Sequence, residues 1–436
     1  MPFSPSSRNL QRDVVVTGVG AVSAHGIGAD LLFDNLKFGQ TLIADNPKFI
    51  DLGFDVAASA WIDESVLTQV DALNGERDAD WGVHTRIALA SAIQAWGNAR
   101  MDEHDVDDKN RGAVFFASNR QLFNIEDLCL AVGAIDRDRI DFDRFVDAIR
   151  HGDWSRLYFH RQQDLPALTI ASRFGIHGHH GAHGEACASG TIVIGSAAQR
   201  IREGEIDFAL AGASESTNNL MTMVAFNSIG ALASNRDIPT SRLSRPFDRD
   251  RCGFVMSEGS AFLMLESAER AAKRGIAPLA KIVGFSSLLE SQRITSSDDS
   301  GNEYARCIRA ALNDARLKPD DIDCINAHGT STPINDACEA YALKQVFGDR
   351  LRSIPVTANK SALGHSLGNS GAIEAVLSII SLRQQTIPPT LNFHVPDKST
   401  AGLQLSATAQ THAMRYVLSN SFGFGGSNAC LILEAA

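Results

Sequence analysis

Apolar and polar positions along this chain follow two rhythms. Short runs of β-branched and small apolar residues, closed by glycine, alternate with stretches whose apolar positions recur every three or four residues. The run over residues 13–20 predicts a buried strand ending in a glycine turn. A helix over 31–38 stopped by Gly39, a helix over 84–96 and a strand over 112–116 follow. Over 141–150, Phe142, Phe145, Val146 and Ile149 fall on one stripe of a short amphipathic helix. A strand over 207–213, a pair of strands over 252–266 and a short helix over 268–273 complete the first part.

After residues 274–278 the order of element types begins again. Strands are predicted over 280–284, 323–327 and 354–357, with helices over 303–315, 337–347 and 371–383 between and after them. Two strands, 415–418 and 429–434, close the chain. Alternating β and α elements predict an α/β fold of mostly parallel sheets under covering helices. The repeat predicts internal duplication, with one half over 1–275 and the other over 276–436.

One stretch departs from the amphipathic pattern. Residues 184–201 are apolar or small nearly all round, with Val193, Ala197 and Ile201 on one face and Ile194 and Ala198 beside it. Arg200 and Arg202 suit the carboxyl end, and Gly204 offers a stop. Such a helix is buried, which sets Cys187 in its first turn among unsatisfied N–H groups and at the positive end of the dipole. That setting favours thiolate over thiol. The plain alternative is an inert buried cysteine.

Bulk properties narrow the classes. A chain of 436 residues with 44% hydrophobic and 21% charged residues reads as a globular protein of about two domains. No apolar run reaches membrane-spanning length, and residues 1–11 read as a frayed tail without a signal core, so the expected compartment is the cytoplasm. Seven scattered cysteines without a C-x-x-C pair disfavour a disulfide framework or zinc knuckle. A net charge of −11 disfavours nucleic acid as a partner.

Three glycine-rich loops in the second half each follow a predicted strand. They carry His328 (326–333), Lys360 and His365 (359–368), and Phe424 (420–428). Ligands in parallel α/β sheets bind beyond the carboxyl ends of strands, which would bring these loops to one crevice. A thiolate, two histidines, a lysine and exposed amides suit acyl transfer. Singly, each has a dull reading: a helix-capping histidine, a surface lysine, a simple glycine turn.

Together with Val14-Val15-Val16-Thr17-Gly18, Ala186-Cys187-Ala188-Ser189-Gly190 and Arg245-Pro246-Phe247-Asp248, the loop motifs occur in an order that resembles the elongating β-ketoacyl-acyl carrier protein synthases of the thiolase superfamily. The resemblance spans nearly the whole chain. It implies a thiolase-like, five-layered fold of two duplicated halves, each a mixed, mostly parallel sheet with covering helices. It implies that Cys187 takes an acyl group from an acyl carrier protein, and that His328 and His365 hold the malonyl thioester carbonyl and the enolate left by decarboxylation. The N–H groups of Cys187 and Phe424 would hold the acyl-enzyme oxyanion, with Phe424 also a gate. Lys360, paired with Glu374, would orient the histidines. Thr330 and Thr332 would bind the phosphopantetheine arm, which arrives on the carrier, so no metal and no free cofactor is implied. The implied assembly is a homodimer or a ketosynthase heterodimer. A non-catalytic, chain-length-determining partner subunit and a coenzyme A-dependent thiolase-type acyltransferase are the alternatives; the first normally lacks the nucleophile, and the second pairs histidine with cysteine differently.

Some features depart from that pattern. His177, His179, His180 and His183 precede the nucleophile, on glycine-broken spacing that ill suits a metal site. Glu185, two positions before Cys187, would oppose thiolate formation unless it points away. Residues 120–155 read as an insert, and Ser118, Asn119, Arg120 and Gln121 suggest a polar lining for a short or functionalised acyl chain. Arg236, Arg242 and Arg245 are candidates for meeting an acidic carrier.

Overall fold

The computed structural model describes residues 12–75, 81–103, 108–119, 135–136, 139–151, 162–234, 237–291 and 299–436. The expected tail, Arg120, Gln121, Arg236 and most of the expected insert lie outside these. Within the insert, a helix runs over Phe142–His151, with Phe142 and Val146 of its apolar stripe left exposed.

The first half contributes strands β1 (Val14–Ser23), β2 (Gly112–Ala117), β3 (His179–His183), β4 (Phe208–Glu215) and β5 (Gly259–Ser267), in the order β1-β5-β4-β2-β3. The second half contributes β6 (Ala280–Leu289), β7 (Cys324–Asn326), β8 (Pro355–Thr357), β9 (Tyr416–Phe422) and β10 (Ser427–Ala435), in the order β6-β10-β9-β7-β8. In each half the first, last and fourth strands pair antiparallel, and the fourth, second and third pair parallel. The duplication is therefore one of topology, strand for strand. Antiparallel pairing of β1 with β6 joins the two sheets.

Helices fill three layers. Helices α1 (Val83–Asn98) and α2 (Leu165–Phe174) cover the outer face of the first sheet. Helices α3 (Ser189–Arg202) and α6 (Ser370–Gln384) lie between the sheets, and α4 (Asn302–Ala315) and α5 (Pro333–Phe347) cover the second sheet outside. Strand β2 shows how the pleat divides the core: Ala113, Phe115 and Ala117 face the central helices, while Val114 and Phe116 face the outer layer. The middle helices are apolar all round because both sides meet a sheet, as with Val193 and Ile194 on α3 and Ile373 and Val376 on α6. Each such side chain contributes about 1.5–3 kcal/mol on burial.

The segment 252–266 carries the expected pair of strands, in different sheets: Met256–Ser257 joins a small separate one, and Gly259–Ser267 enters the main one. The edge strand β3 carries little apolar signal: His180 and Ala182 are exposed, and His179, Gly181 and His183 are only half-buried.

The N-terminal ends of α3 and α6 cross at close range. A Cβ at Gly190 would stand 2.6 Å from the Ala372 nitrogen, and one at Gly371 would stand 2.2 Å from Thr191 Oγ1. Larger residues would push the helices apart at a cost of about 1–3 kcal/mol. The equivalent connections of the two halves, β3 to α3 and β8 to α6, thus deliver Cys187 and His365 to one point.

Candidate active site

Cys187 does not occupy the first turn of the α-helix. It is the middle residue of a 3-10 turn, Ala186–Ala188, and α3 begins at Ser189. Ala186 before it is left-handed at φ 50°, a strained setting for a residue with a Cβ. The turn aims the sulfur out of the helix axis toward the second half, where His365 Nε2 lies 3.2 Å from Sγ. The backbone N–H groups of Phe424 and of Cys187 itself also reach the sulfur.

The thiol is not the ready thiolate expected from the helix dipole. Complete burial pushes it up to about 11, and Lys360 with the two amides pulls it back only in part. Apolar packing from Phe49, Met223, Leu232, Phe254, Met256 and Leu367 explains the burial. In the free enzyme, alkylation of Cys187 by iodoacetamide should therefore rise about tenfold per pH unit from about pH 7 to about pH 10. Mass spectrometry of the Cys187 peptide against pH checks it; a plateau at neutral pH would show a thiolate already formed.

Glu185 does not oppose the thiol. Its Oε1 lies 3.1 Å from His183 Nδ1, turned to the edge strand, and the acid that does bear on the sulfur is Glu215. Glu215 ends β4, is fully buried and is raised to about 7 by that burial. It accepts from the Gly368 amide at 3.0 Å, the Asn119 amide at 3.2 Å and Asn119 Nδ2 at 2.9 Å. It thereby ties the loop before α6 to the end of β2. Ser118 and Asn119 direct their polarity at Glu215, and the wall beside the sulfur is apolar.

His328 follows β7. Its ring centroid is 5.4 Å from that of His365, with the rings at 83°. Lys360 is 2% exposed and uses its three N–H bonds on Glu374 Oε1, on the His328 carbonyl at 2.6 Å and on His328 Nδ1 at 3.2 Å. An ammonium only donates, so Nδ1 must accept and the ring proton sits on Nε2. Burial and the nearby Lys360 hold His328 and His365 well below their ordinary range, so both rings are neutral. Burial raises Glu374 to about 7 against the pull of Lys360.

Sequence reasoning missed the carboxylates that hold the His328 loop. Glu339 Oε1 and Oε2 accept the His328 and Gly329 amides, each at 2.9 Å, and Asp336 accepts those of Phe247 and Ser331. The two acids lie three residues apart on α5 and are both fully buried, a burial that their spacing in the sequence does not mark. Thr330 and Thr332 lie along the same loop with their hydroxyls 2.9 Å apart. Phe424 opens the turn Phe424–Gly426 between β9 and β10. Gly426 closes it at φ 80°, where a Cβ would fall 1.9 Å from the Glu290 carbonyl.

A cavity of about 530 Å³ connects these groups to the surface; its lining includes Cys187, His328, His365, Thr330, Thr332 and Phe424. Arg245 does not reach outward: it is buried, with Nε on the Arg242 carbonyl and Nη1 3.6 Å from Asp248. Arg242 is exposed.

Among the described residues, Cys187, His328 and His365 form the only cluster with ligand atoms close enough, within 4.8 Å, to share a metal. A metal on His328 Nε2 would need the proton moved to Nδ1, which faces the Lys360 ammonium. The donor set therefore opposes a three-ligand site.

Comparison with known proteins agrees with the geometry. The family described as "Beta-ketoacyl synthase, N-terminal domain" matches residues 11–271, and "Beta-ketoacyl synthase, C-terminal domain" matches 279–394. A 3-oxoacyl-[acyl-carrier-protein] synthase 2 of Staphylococcus aureus (strain N315) is 37% identical over 425 residues, covering 97% of this chain and 98% of its own. A putative polyketide β-ketoacyl synthase 1 of Streptomyces halstedii is 34% identical, covering 97% and 98%. A solved type II polyketide synthase ketosynthase, bound to a hexaketide and in complex with its acyl-carrier protein, superposes with a TM-score of 0.85 at 28% identity, covering 98% of this chain and all of its own. No helix among the described residues is long and apolar enough to cross a membrane. The chain belongs to the β-ketoacyl synthase family of thiolase-fold acyltransferases.

Proposed function

We propose that the protein condenses an acyl group held on Cys187 with malonyl-acyl carrier protein, giving 3-oxoacyl-acyl carrier protein in fatty-acid or type II polyketide assembly. The observation that carries this reading is the 3.2 Å approach of His365 Nε2 to Cys187 Sγ beside a second neutral imidazole.

In the first half-reaction the Cys187 sulfur attacks the carrier thioester. A new thioester forms, the carrier's pantetheine sulfur leaves, and the thiol proton of Cys187 goes to it. The Phe424 and Cys187 amides already converge on the sulfur and would hold the tetrahedral oxyanion; each such donor typically contributes about 3 kcal/mol or more. Thr330 and Thr332 hydrogen-bond the pantetheine arm along the cavity. Malonyl-carrier protein then enters, and the Nε2–H groups of His328 and His365 bind its thioester carbonyl. The carbon–carbon bond to the carboxylate breaks, carbon dioxide leaves, and the electron pair becomes an enolate held by those two donors. Its carbon attacks the Cys187 thioester and expels the sulfur, completing the product. Lys360 keeps His328 a donor, and Glu374 balances its charge. Phe424, at the mouth of both half-reactions, acts as the gate.

Among the described residues, β3 pairs on one side only, with β2. Its free main-chain groups suit a dimer of two such chains, or of this chain with a related subunit.

The test is to incubate the protein with a radiolabelled acyl-carrier protein and then add malonyl-carrier protein. Label on the protein, then carbon dioxide release and a 3-oxoacyl product, is expected. Label without product would favour a simple transferase, and absence of label would favour a non-catalytic partner subunit.

A further inference from the structure

The two imidazoles reach their protonation states by different means. Lys360 orients His328, but it makes no hydrogen bond to His365. The second nitrogen of that ring, Nδ1, lies 2.8 Å from Ser370 Oγ, on the first residue of α6. Ser370 Oγ lies 3.5 Å from Ser366 Oγ, which accepts from Asn369 Nδ2 at 3.4 Å. The 3-10 turn Leu367–Asn369 brings the chain back so that Ser370 reaches the ring five residues behind it. All four side chains are at most 4% exposed, so bulk water does not set their orientation.

An amide N–H can only donate. Asn369 therefore gives to Ser366, and the arrangement that satisfies each next group in turn has Ser366 giving to Ser370 and Ser370 to His365 Nδ1. The remaining ring proton is left on Nε2, facing Cys187. We propose that Ser370 is a positioning residue that holds His365 in the Nε2–H tautomer, as the last donor of this one-way chain. The inference rests on the condensing reaction proposed above, in which His365 must donate to a malonyl carbonyl. A ring with its proton on Nδ1 would turn a lone pair to that carbonyl and repel the enolate. The hydroxyl thus does for His365 what the ammonium does for His328, without placing a second cation beside the sulfur.

The test uses the full chain with 15N-labelled histidine. In the wild-type protein the His365 ring, assigned by its loss in His365→Ala, should show a pyridine-like Nδ1 and a pyrrole-like Nε2. In Ser370→Ala the two shifts should move toward each other. Carbon dioxide release from malonyl-carrier protein should fall about tenfold in kcat with KM little changed. Acyl loading of Cys187, which depends on the backbone amides, should change by less than about threefold. Ser370→Thr, which keeps the hydroxyl, should restore both shifts and rate. A pyrrole-like Nδ1 in the wild type, or unchanged shifts and rate in Ser370→Ala, would overturn the proposal. Failure of the condensing reading shows separately, as wild-type protein that releases no carbon dioxide, whereas the ring shifts report the proton directly.

Discussion

Cys187→Ala is expected to accept no acyl label and to lose condensation by about 10⁴-fold or more, the scale on which enzymes lose rate with their nucleophile. The same variant should still decarboxylate malonyl-carrier protein within about tenfold of wild type. The physical reason is a division of labour across the cavity. The sulfur sits on the connection from β3 to α3, while both imidazoles, the ammonium and Glu374 belong to the second half, held by their own hydrogen bonds. Removing one sulfur leaves those bonds in place and leaves a void of about one atom beside Phe254 and Leu367, which cluster with it. Label retention after denaturing electrophoresis and release of carbon dioxide check the two halves of the prediction. Label persisting on Cys187→Ala would assign the acyl group elsewhere, with Cys252, which lines the same cavity, the first place to look. Loss of both activities in a folded variant would make the sulfur part of the decarboxylation machinery.

Much of this site was legible in the sequence because its residues sit where element types change. Cys187, His328, Lys360 and His365 all lie in small-residue connections between a strand and the long helix that follows it, and the period of the neighbouring helices placed them near the sheet ends. Pattern alone did not give the state of the thiol. A dipole argument counts the N–H groups at a helix start but not the apolar ring of Phe49, Met223, Leu232 and Met256 that desolvates the sulfur, and desolvation wins. Nor did it locate the supports. The sequence reading passed over Glu215, Asp336 and Glu339, which the fold buries against backbone amides. Arg245 failed in the opposite direction: a charge expected to face a partner is held by Asp248 and a backbone carbonyl. Glu215 and Asp336 meet amides of Gly368 and Phe247 far along the chain, and such pairings leave no periodic trace.

The largest effect on the decarboxylation half is expected at Lys360. Lys360→Met removes the partner of a fully buried carboxylate, and losing one member of such a pair typically costs about 3–5 kcal/mol. Glu374 is already raised to about 7 with the ammonium beside it, and its Oε2 has no hydrogen-bond partner among the described residues, so without Lys360 it is driven further toward the neutral acid. The same change frees His328 Nδ1 and leaves the His328 carbonyl without its donor. Stability and chemistry therefore fall together in the single variant, and one measurement does not separate them. The double variant Lys360→Met with Glu374→Leu does, because two apolar side chains of similar volume replace the ion pair without a stranded charge. It should recover most of the lost stability, read as the denaturant midpoint, while carbon dioxide release stays down by about a hundredfold or more, because no ammonium holds the proton of His328 on Nε2. If decarboxylation returned along with stability, Lys360 would be a structural ion-pair partner and His328 would owe its orientation to the Glu339 clamp alone.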